Sequence, residues 1–250
     1  MKNSQPGEHV TLAELGCWRA HANVWSHILS SGISSALILE DDADFSVGMR
    51  DILEGVSTQL QGVFGATNKE PYGIVSNSWD VLALGTCWNE LPDPKKEPKA
   101  ARKIRGWVDP YAPESDDLSQ RYLPHAGSKR VRVVGPAKGI ACTQGYAVTR
   151  EGAMRLLYNV GGVGHDLDNP VDLLMGVQMM KGLLNGFVTV PSIMSQWKYG
   201  DWRDTDIQLF TDEQLGEVGG GGGSDIIQSA RKEIMDVLGN RNIWEEIERE

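Results

Sequence analysis

Glu40, Asp41, Asp42 and Asp44 place four carboxylates within five positions, directly after the apolar run Ala36-Leu37-Ile38-Leu39. Groups so close repel one another strongly unless a cation or cationic side chains compensate. An acidic run on a solvated face carries no information. A buried strand that ends in acid does, because it holds its side chains rigidly at a cleft edge, where open α/β sheets collect ligands. Oxygen-only donors suit Mg²⁺ or Mn²⁺, which keep several waters and complete their shell with one or two carboxylates and substrate phosphates. The occupant that this chemistry points to is a divalent cation carrying a diphosphate. The chain has no Gly-rich, Lys-containing phosphate loop, which argues against a P-loop nucleotidase. A metal-dependent phosphohydrolase built on Asp42-x-Asp44 ranks low, since no second acidic or Lys motif of that chemistry follows.

The elements that must position these groups are legible in outline. Thr11-Leu12-Ala13-Glu14 reads as a capping box, in which the Thr side chain bonds the third helical N–H and Glu14 reaches back to the cap. The helix it opens has a stripe of Leu12, Leu15, Trp18, Ala22, Trp25 and Leu29, ending at Ser30-Ser31-Gly32. His21 lies at the edge of that stripe, as a packed, hydrogen-bonded residue or as a ligand. Residues 36–39 form the strand before the acid, 49–60 a helix, 79–85 a second strand and 139–148 a third. A short helix through Met154, Leu156 and Leu157 follows Thr149. Asn169-Pro170-Val171-Asp172 has the form of a helix start, with Asn as cap and Pro in the first position. That helix runs to about Lys181, and Phe187 to Val190 reads as a last strand closed by Pro191. Helix, strand and acidic loop in this order imply an open α/β sheet.

The remaining segments set the boundaries. Residues 1–10 read as a disordered N-terminus and 11–210 as one domain. Positions 89–130 hold six of the eleven prolines and show no clean period, which predicts a long surface insertion, disordered or serving as a lid. Gly219 to Gly223 mark a linker over 211–224, and Ile226, Ile227, Ala230, Ile234 and Leu238 predict an amphipathic helix over 225–250 that docks on the body or on a partner.

Composition narrows the class. With 24 Lys+Arg against 34 Asp+Glu the net charge is −10, which disfavours nucleic acid and anionic membranes as partners. No stretch approaches the roughly 18 apolar residues of a membrane span. Cys17, Cys87 and Cys142 allow one disulfide at most plus a free thiol, so compartment stays open.

Five segments together resemble glycosyltransferase family 25. They are Leu15-Gly16-Cys17 with His21; Ala36-Leu37-Ile38-Leu39-Glu40-Asp41-Asp42; Thr143-Gln144-Gly145-Tyr146 with Gly152-Ala153 and Leu156-Leu157; Pro170-Val171-Asp172; and Trp79-Asp80-Val81-Leu82-Ala83-Leu84-Gly85. The last of these, with the closing Asp206-Ile207, is most similar to fungal members. The resemblance spans about residues 11–207. It implies a GT-A-like, Rossmann-related open mixed sheet flanked by helices, an inverting hexosyl transfer, and a nucleotide-sugar donor, usually UDP-galactose, with Mn²⁺ or Mg²⁺ held by the acidic motif. By that likeness Asp42 is the direct metal ligand and Asp44 a second one. Glu40, beside Asp41, faces the ribose or a metal-bound water. Gln144, Gly145 and Tyr146 line the donor or acceptor cleft, with His21 near the cofactor, although a buried strand accounts equally well for Tyr146.

Asp172 resembles the family's late acidic residue and is the candidate base for the acceptor hydroxyl of a glycan or protein. Its placement early in a helix is also what the macrodipole alone favours. Two departures accompany the likeness. The apolar strand with Asn-Leu-Asp-Arg that opens such transferases is missing, as though the first βα unit were cut away, and Gln196 and Trp197 stand where fungal relatives often show histidines. The first departure keeps a second function class open, a catalytically silent homologue that binds glycans or a partner protein. A secretory location would require an N-terminal signal or anchor on a full-length form; otherwise the expectation is cytoplasmic.

Overall fold

The computed structural model describes residues 10–65, 78–161, 169–197 and 226–234. Residues 1–9, the glycine linker, Asp206-Ile207 and most of the expected 225–250 tail helix lie outside these. Along the chain the elements are α1 (Leu12–Ser30), β1 (Ser35–Leu39), β2 (Ala43–Phe45), α2 (Met49–Phe64), β3 (Val81–Gly85), β4 (Trp88–Glu90), α3 (Pro98–Ala101), β5 (Arg105–Val108), α4 (Asp116–Tyr122), β6 (Val131–Pro136), β7 (Gly139–Ala141), β8 (Gly145–Thr149), α5 (Arg150–Asn159), α6 (Val171–Met180), β9 (Gly186–Val190) and β10 (Met194–Gln196).

Six strands form one mixed sheet in the order β1-β8-β3-β9-β6-β5. Only the β3–β9 pair is parallel; the other four are antiparallel. Successive side chains of a strand face opposite sides, and β3, buried throughout, divides the core accordingly. Val81 and Ala83 join Ala22, Trp25 and Ile28 of α1, Leu156 of α5 and Met175 of α6 on one face. Leu82 and Leu84 join Ile52, Val56 and Leu60 of α2 on the other. The result is the mixed α/β architecture with helices on both faces that a GT-A-like sheet requires.

The capping box forms as expected, with Thr11 and Glu14 bonded reciprocally. The apolar stripe of α1 differs. Its buried residues are His21, Ala22, Trp25 and Ile28, whereas Leu12 is 88% exposed and Leu15 is also exposed. Only the part of α1 that lies over the sheet is covered among the described residues. β1 corrects the expectation of a buried strand: it is an edge strand, paired with β8 alone, so Leu37 and Leu39 stay exposed and only Ile38 is buried. The segment 139–148 is two strands rather than one. Cys142, at φ +65°, turns the chain between them, and a disulfide ties it to Cys87. The 89–130 stretch supplies β5, which pairs with β6 at the edge of the main sheet. At α6 the cap is Pro170 and the helix begins at Val171, one residue later than the Asn-Pro pattern suggested.

Buried polar groups fix the frame. Asp80, at the head of β3, accepts two hydrogen bonds from Arg155 of α5 and one from the Asn185 N–H before β9. Arg132, fully buried, pairs with Asp109 at 2.6 Å and donates to the carbonyls of Pro191 and Ser192, which anchors the segment leading into β10. Gly152 packs so closely that an added Cβ would stand 2.2 Å from the Asp80 carbonyl oxygen. Gly152→Ala therefore forces α5 off the sheet and should cost about 1–3 kcal/mol, read as a lowered denaturant midpoint at unchanged slope.

Candidate functional site

One end of the sheet gathers the chemistry-bearing residues. β1 and β3 finish there and the antiparallel β8 begins there, so Glu40, Cys87 and the Thr143-Gln144 pair meet across neighbouring strands. The Glu40 N–H donates to the Gln144 carbonyl at 3.2 Å, and Thr143 Oγ1 donates to Glu40 Oε1 at 2.6 Å. From α1, His21 Nε2 lies 3.7 Å from the same Oε1. The other ring nitrogen, Nδ1, is 2.8 Å from the Tyr146 hydroxyl, which also accepts from Trp25 Nε1–H at 2.9 Å. All three of those side chains are buried. Burial raises the Glu40 pKa, but the hydrogen bonds from His21 and Thr143 outweigh it and hold the carboxyl below its ordinary range.

The acidic loop leaves the sheet into a small ribbon of β2 and β10. Trp197 N–H donates to the Asp42 carbonyl at 2.7 Å, and Gln196 Nε2 donates to Asp42 Oδ2 at 2.7 Å. Asp42 Oδ1 is buried with no hydrogen-bond partner among the described residues. Burial, and then the neighbouring Glu40 and Asp41 charges, push the Asp42 carboxyl upward despite the Gln196 bond. An orphaned, electrostatically uncomfortable carboxylate oxygen is what a hard cation would relieve. Gln144 Oε1 is a second buried acceptor without a partner among the described residues.

Asp44 has a different environment. It is buried, and its Oδ1 accepts the N–H groups of Phe45 and of Arg231 in the C-terminal segment. That segment docks on the loop: Val47 N–H donates to the Gln228 carbonyl, Arg231 reaches the carbonyls of Asp41 and Ala43, and its guanidinium lies 5.8 Å over the Trp197 ring. The Asp41 side chain is exposed.

Asp172 reaches the cluster from α6. Gly176 of that helix approaches the Ile140 backbone so closely that a Cβ would meet its carbonyl at 2.6 Å. One turn earlier on the same face, Asp172 Oδ2 accepts the Cys142 N–H at 2.6 Å. Cys17 reports the shared field, since burial first, then the charges of Glu40, Asp172 and Asp42, push its thiol up to about 11. Cys17, His21 and Glu40 form one cluster, with ligand atoms all within 4.8 Å of one another, and the Asp42 and Asp172 charges act on the same thiol. Gly145 sits beside them, but the space over it holds the Met194 side chain, 2.0 Å from where a Cβ would stand. Packing accounts for the missing side chain there.

Thr143, Gln196 and the Tyr146–Trp25 support were not marked as partners of this cluster by spacing. They meet it across separations of 103 to 154 residues, which no local pattern records.

The family model described as Glycosyltransferase family 25 (LPS biosynthesis protein) matches residues 1–175. The chain belongs to that family. Procollagen galactosyltransferase 1 of Danio rerio is 28% identical over 90 residues, covering 36% of this chain and 13% of the relative. A glycosyltransferase 25 family member of Anopheles gambiae is 25% identical over 148 residues, 59% of this chain and 18% of the relative. The inactive glycosyltransferase 25 family member 3 of Homo sapiens is 26% identical over 91 residues, 36% of this chain and 13% of the relative. The chain therefore matches less than a fifth of the length of these curated relatives. Among the described residues no helix is long and apolar enough to cross a membrane.

Proposed function

We propose that this family 25 chain is a metal-dependent, inverting glycosyltransferase that moves galactose from UDP-galactose to a hydroxyl of a glycan or protein. The single observation that carries the reading is the Asp42 carboxylate, one oxygen fixed by Gln196 and the other buried without a partner, at the sheet end where the family's acidic motif falls. Oxygen donors of this kind fit Mn²⁺ or Mg²⁺. When bound, such an ion would neutralise the charge that accumulates on the departing diphosphate. Asp42 is its direct ligand in this reading. Asp44 is the second candidate ligand from sequence, and its bonds to Phe45 and Arg231 make its contribution the positioning of the loop.

The chain's own residues do the rest. Glu40, oriented by Thr143 and His21, faces the ribose or a water of the cation. Gln144 offers an acceptor oxygen to the donor. Asp172 takes the proton of the acceptor hydroxyl as it attacks the anomeric carbon, giving inversion. The galactosyl donor rests on the printed name of the Danio rerio relative. A Cys87–Cys142 disulfide fits an oxidising, secretory-type compartment.

A second reading, a silent member that binds glycans or a partner protein, is favoured by the match to a relative named as inactive. The two are separated by incubating the chain with UDP-galactose and Mn²⁺, with and without glycan and glycoprotein acceptors, and measuring UDP. Release that requires Mn²⁺ and rises with an acceptor is expected; no release with any acceptor, beside an active relative, supports the silent reading.

A further inference from the structure

Behind the acidic loop lies a second set of ligand atoms, of different chemistry. Cys17 and His21 stand four residues apart on one face of α1, and with Glu40 they present a sulfur, a nitrogen and an oxygen that all lie within 4.8 Å of one another. His21 is buried and the other two are half-buried. This donor set differs from the oxygen-only set of Asp42: thiolate and imidazole select borderline ions such as Zn²⁺, and Mn²⁺ poorly.

The supporting shell is also built. The Tyr146 hydroxyl, held by Trp25, fixes the His21 ring through Nδ1 and leaves Nε2 facing Glu40. Thr143 fixes Glu40 from the other side. Partners that orient ligating imidazoles and carboxylates are the usual accompaniment of a protein metal site. The ring tautomer with Nδ1–H toward Tyr146 directs the Nε2 lone pair at an ion, which on binding takes the place of the direct His21–Glu40 contact.

We propose that Cys17, His21 and Glu40 form a second cation site, which takes Zn²⁺ or a similar borderline divalent ion in preference to Mn²⁺. On binding, the Cys17 S–H proton passes to solvent and the thiolate becomes the third ligand, while water fills the remaining position. Such an ion would pin α1 to the end of β1 and fix the Glu40 carboxylate next to Asp42. The site stands whether or not the chain transfers sugar, because none of its ligands depends on a donor.

Cys17 is the one thiol outside the Cys87–Cys142 bridge, so its alkylation by iodoacetamide reports the site directly in the wild-type chain. Zn²⁺ should slow that alkylation by about tenfold or more, while equimolar Mn²⁺ leaves it unchanged. His21→Gln should lose the protection and Asp42→Asn should keep it, with circular dichroism checking that both fold. Unprotected Cys17 at saturating Zn²⁺ in the wild-type chain overturns the proposal, as does equal protection by Mn²⁺ or full protection in His21→Gln. Loss of protection in Asp42→Asn would assign the ion to the acidic loop instead, and so would also overturn it. Failure of sugar transfer alone would bear on the proposed function and leave these outcomes unaffected.

Discussion

Asp172→Asn is expected to lower transfer to the acceptor by a factor on the order of 10²–10⁴, the usual contribution of a positioned general base. The geometry makes this substitution unusually clean. Asp172 Oδ2 accepts the Cys142 N–H at 2.6 Å, and an Asn carbonyl oxygen can accept the same bond, so the anchor between α6 and the turn after β7 survives. The stability loss should be about 1 kcal/mol or less, since the bond to the Cys142 N–H survives and the lost charge acted mainly at the helix N-terminus. UDP and Mn²⁺ should bind as in the wild type. Transfer rates at saturating donor, with thermal unfolding alongside, check this. If Asp172 only caps its helix, Asn there leaves the rate within a few-fold of wild type.

Asp42→Asn should have the opposite profile. Removing the charge relieves the burial and the repulsion from Glu40 and Asp41 that push this carboxyl upward, so the ligand-free chain should be at least as stable as wild type at neutral pH. The sign follows from linkage. A carboxyl with a raised native pKa holds its proton longer in the folded state, so its penalty grows as pH rises through the carboxylate range and is complete at neutrality. Stability of the wild-type chain relative to the variant should therefore decline over that window. What the variant loses is the ligand. A donor and cation at 100 times their Kd stabilise a fold by about 2.7 kcal/mol, and this increment should largely vanish. Thermal shifts with and without Mn²⁺–UDP, at several pH values, read both effects.

The parts of this site that were legible in the sequence are the local ones. The capping box of α1, the strand running into acid at Glu40 and the all-apolar β3 are set by neighbours within a few residues, and each was found where expected. What spacing could not reveal depends on distant contacts. The 139–148 run looks continuous because nothing local forces Cys142 into the left-handed region; the bond from its N–H to Asp172 and the bridge to Cys87 come from 30 and 55 residues away. Spacing alone placed His21 at the edge of a stripe without deciding between a packed residue and a ligand, since its hydrogen-bond partner, Tyr146, lies 125 residues on. The periodicity of α1 likewise included Leu12 and Leu15, which face outward, because a helical period does not tell how far the sheet beneath it extends. Family likeness added the meaning of the acidic motif. The donor set of Cys17, His21 and Glu40 emerged only when the strand end and the helix face were placed together.

The acidic loop, through Asp42, is expected to hold a divalent cation and a nucleoside diphosphate as a unit. The most direct test is an equilibrium titration of UDP into the chain by calorimetry, with and without Mn²⁺, for the wild type and Asp42→Asn. Binding of one UDP that needs Mn²⁺ in the wild type, and is lost or weakened at least about tenfold in the variant, is the predicted result. UDP binding that ignores Mn²⁺, or a variant that binds Mn²⁺ and UDP as tightly as wild type, would contradict it.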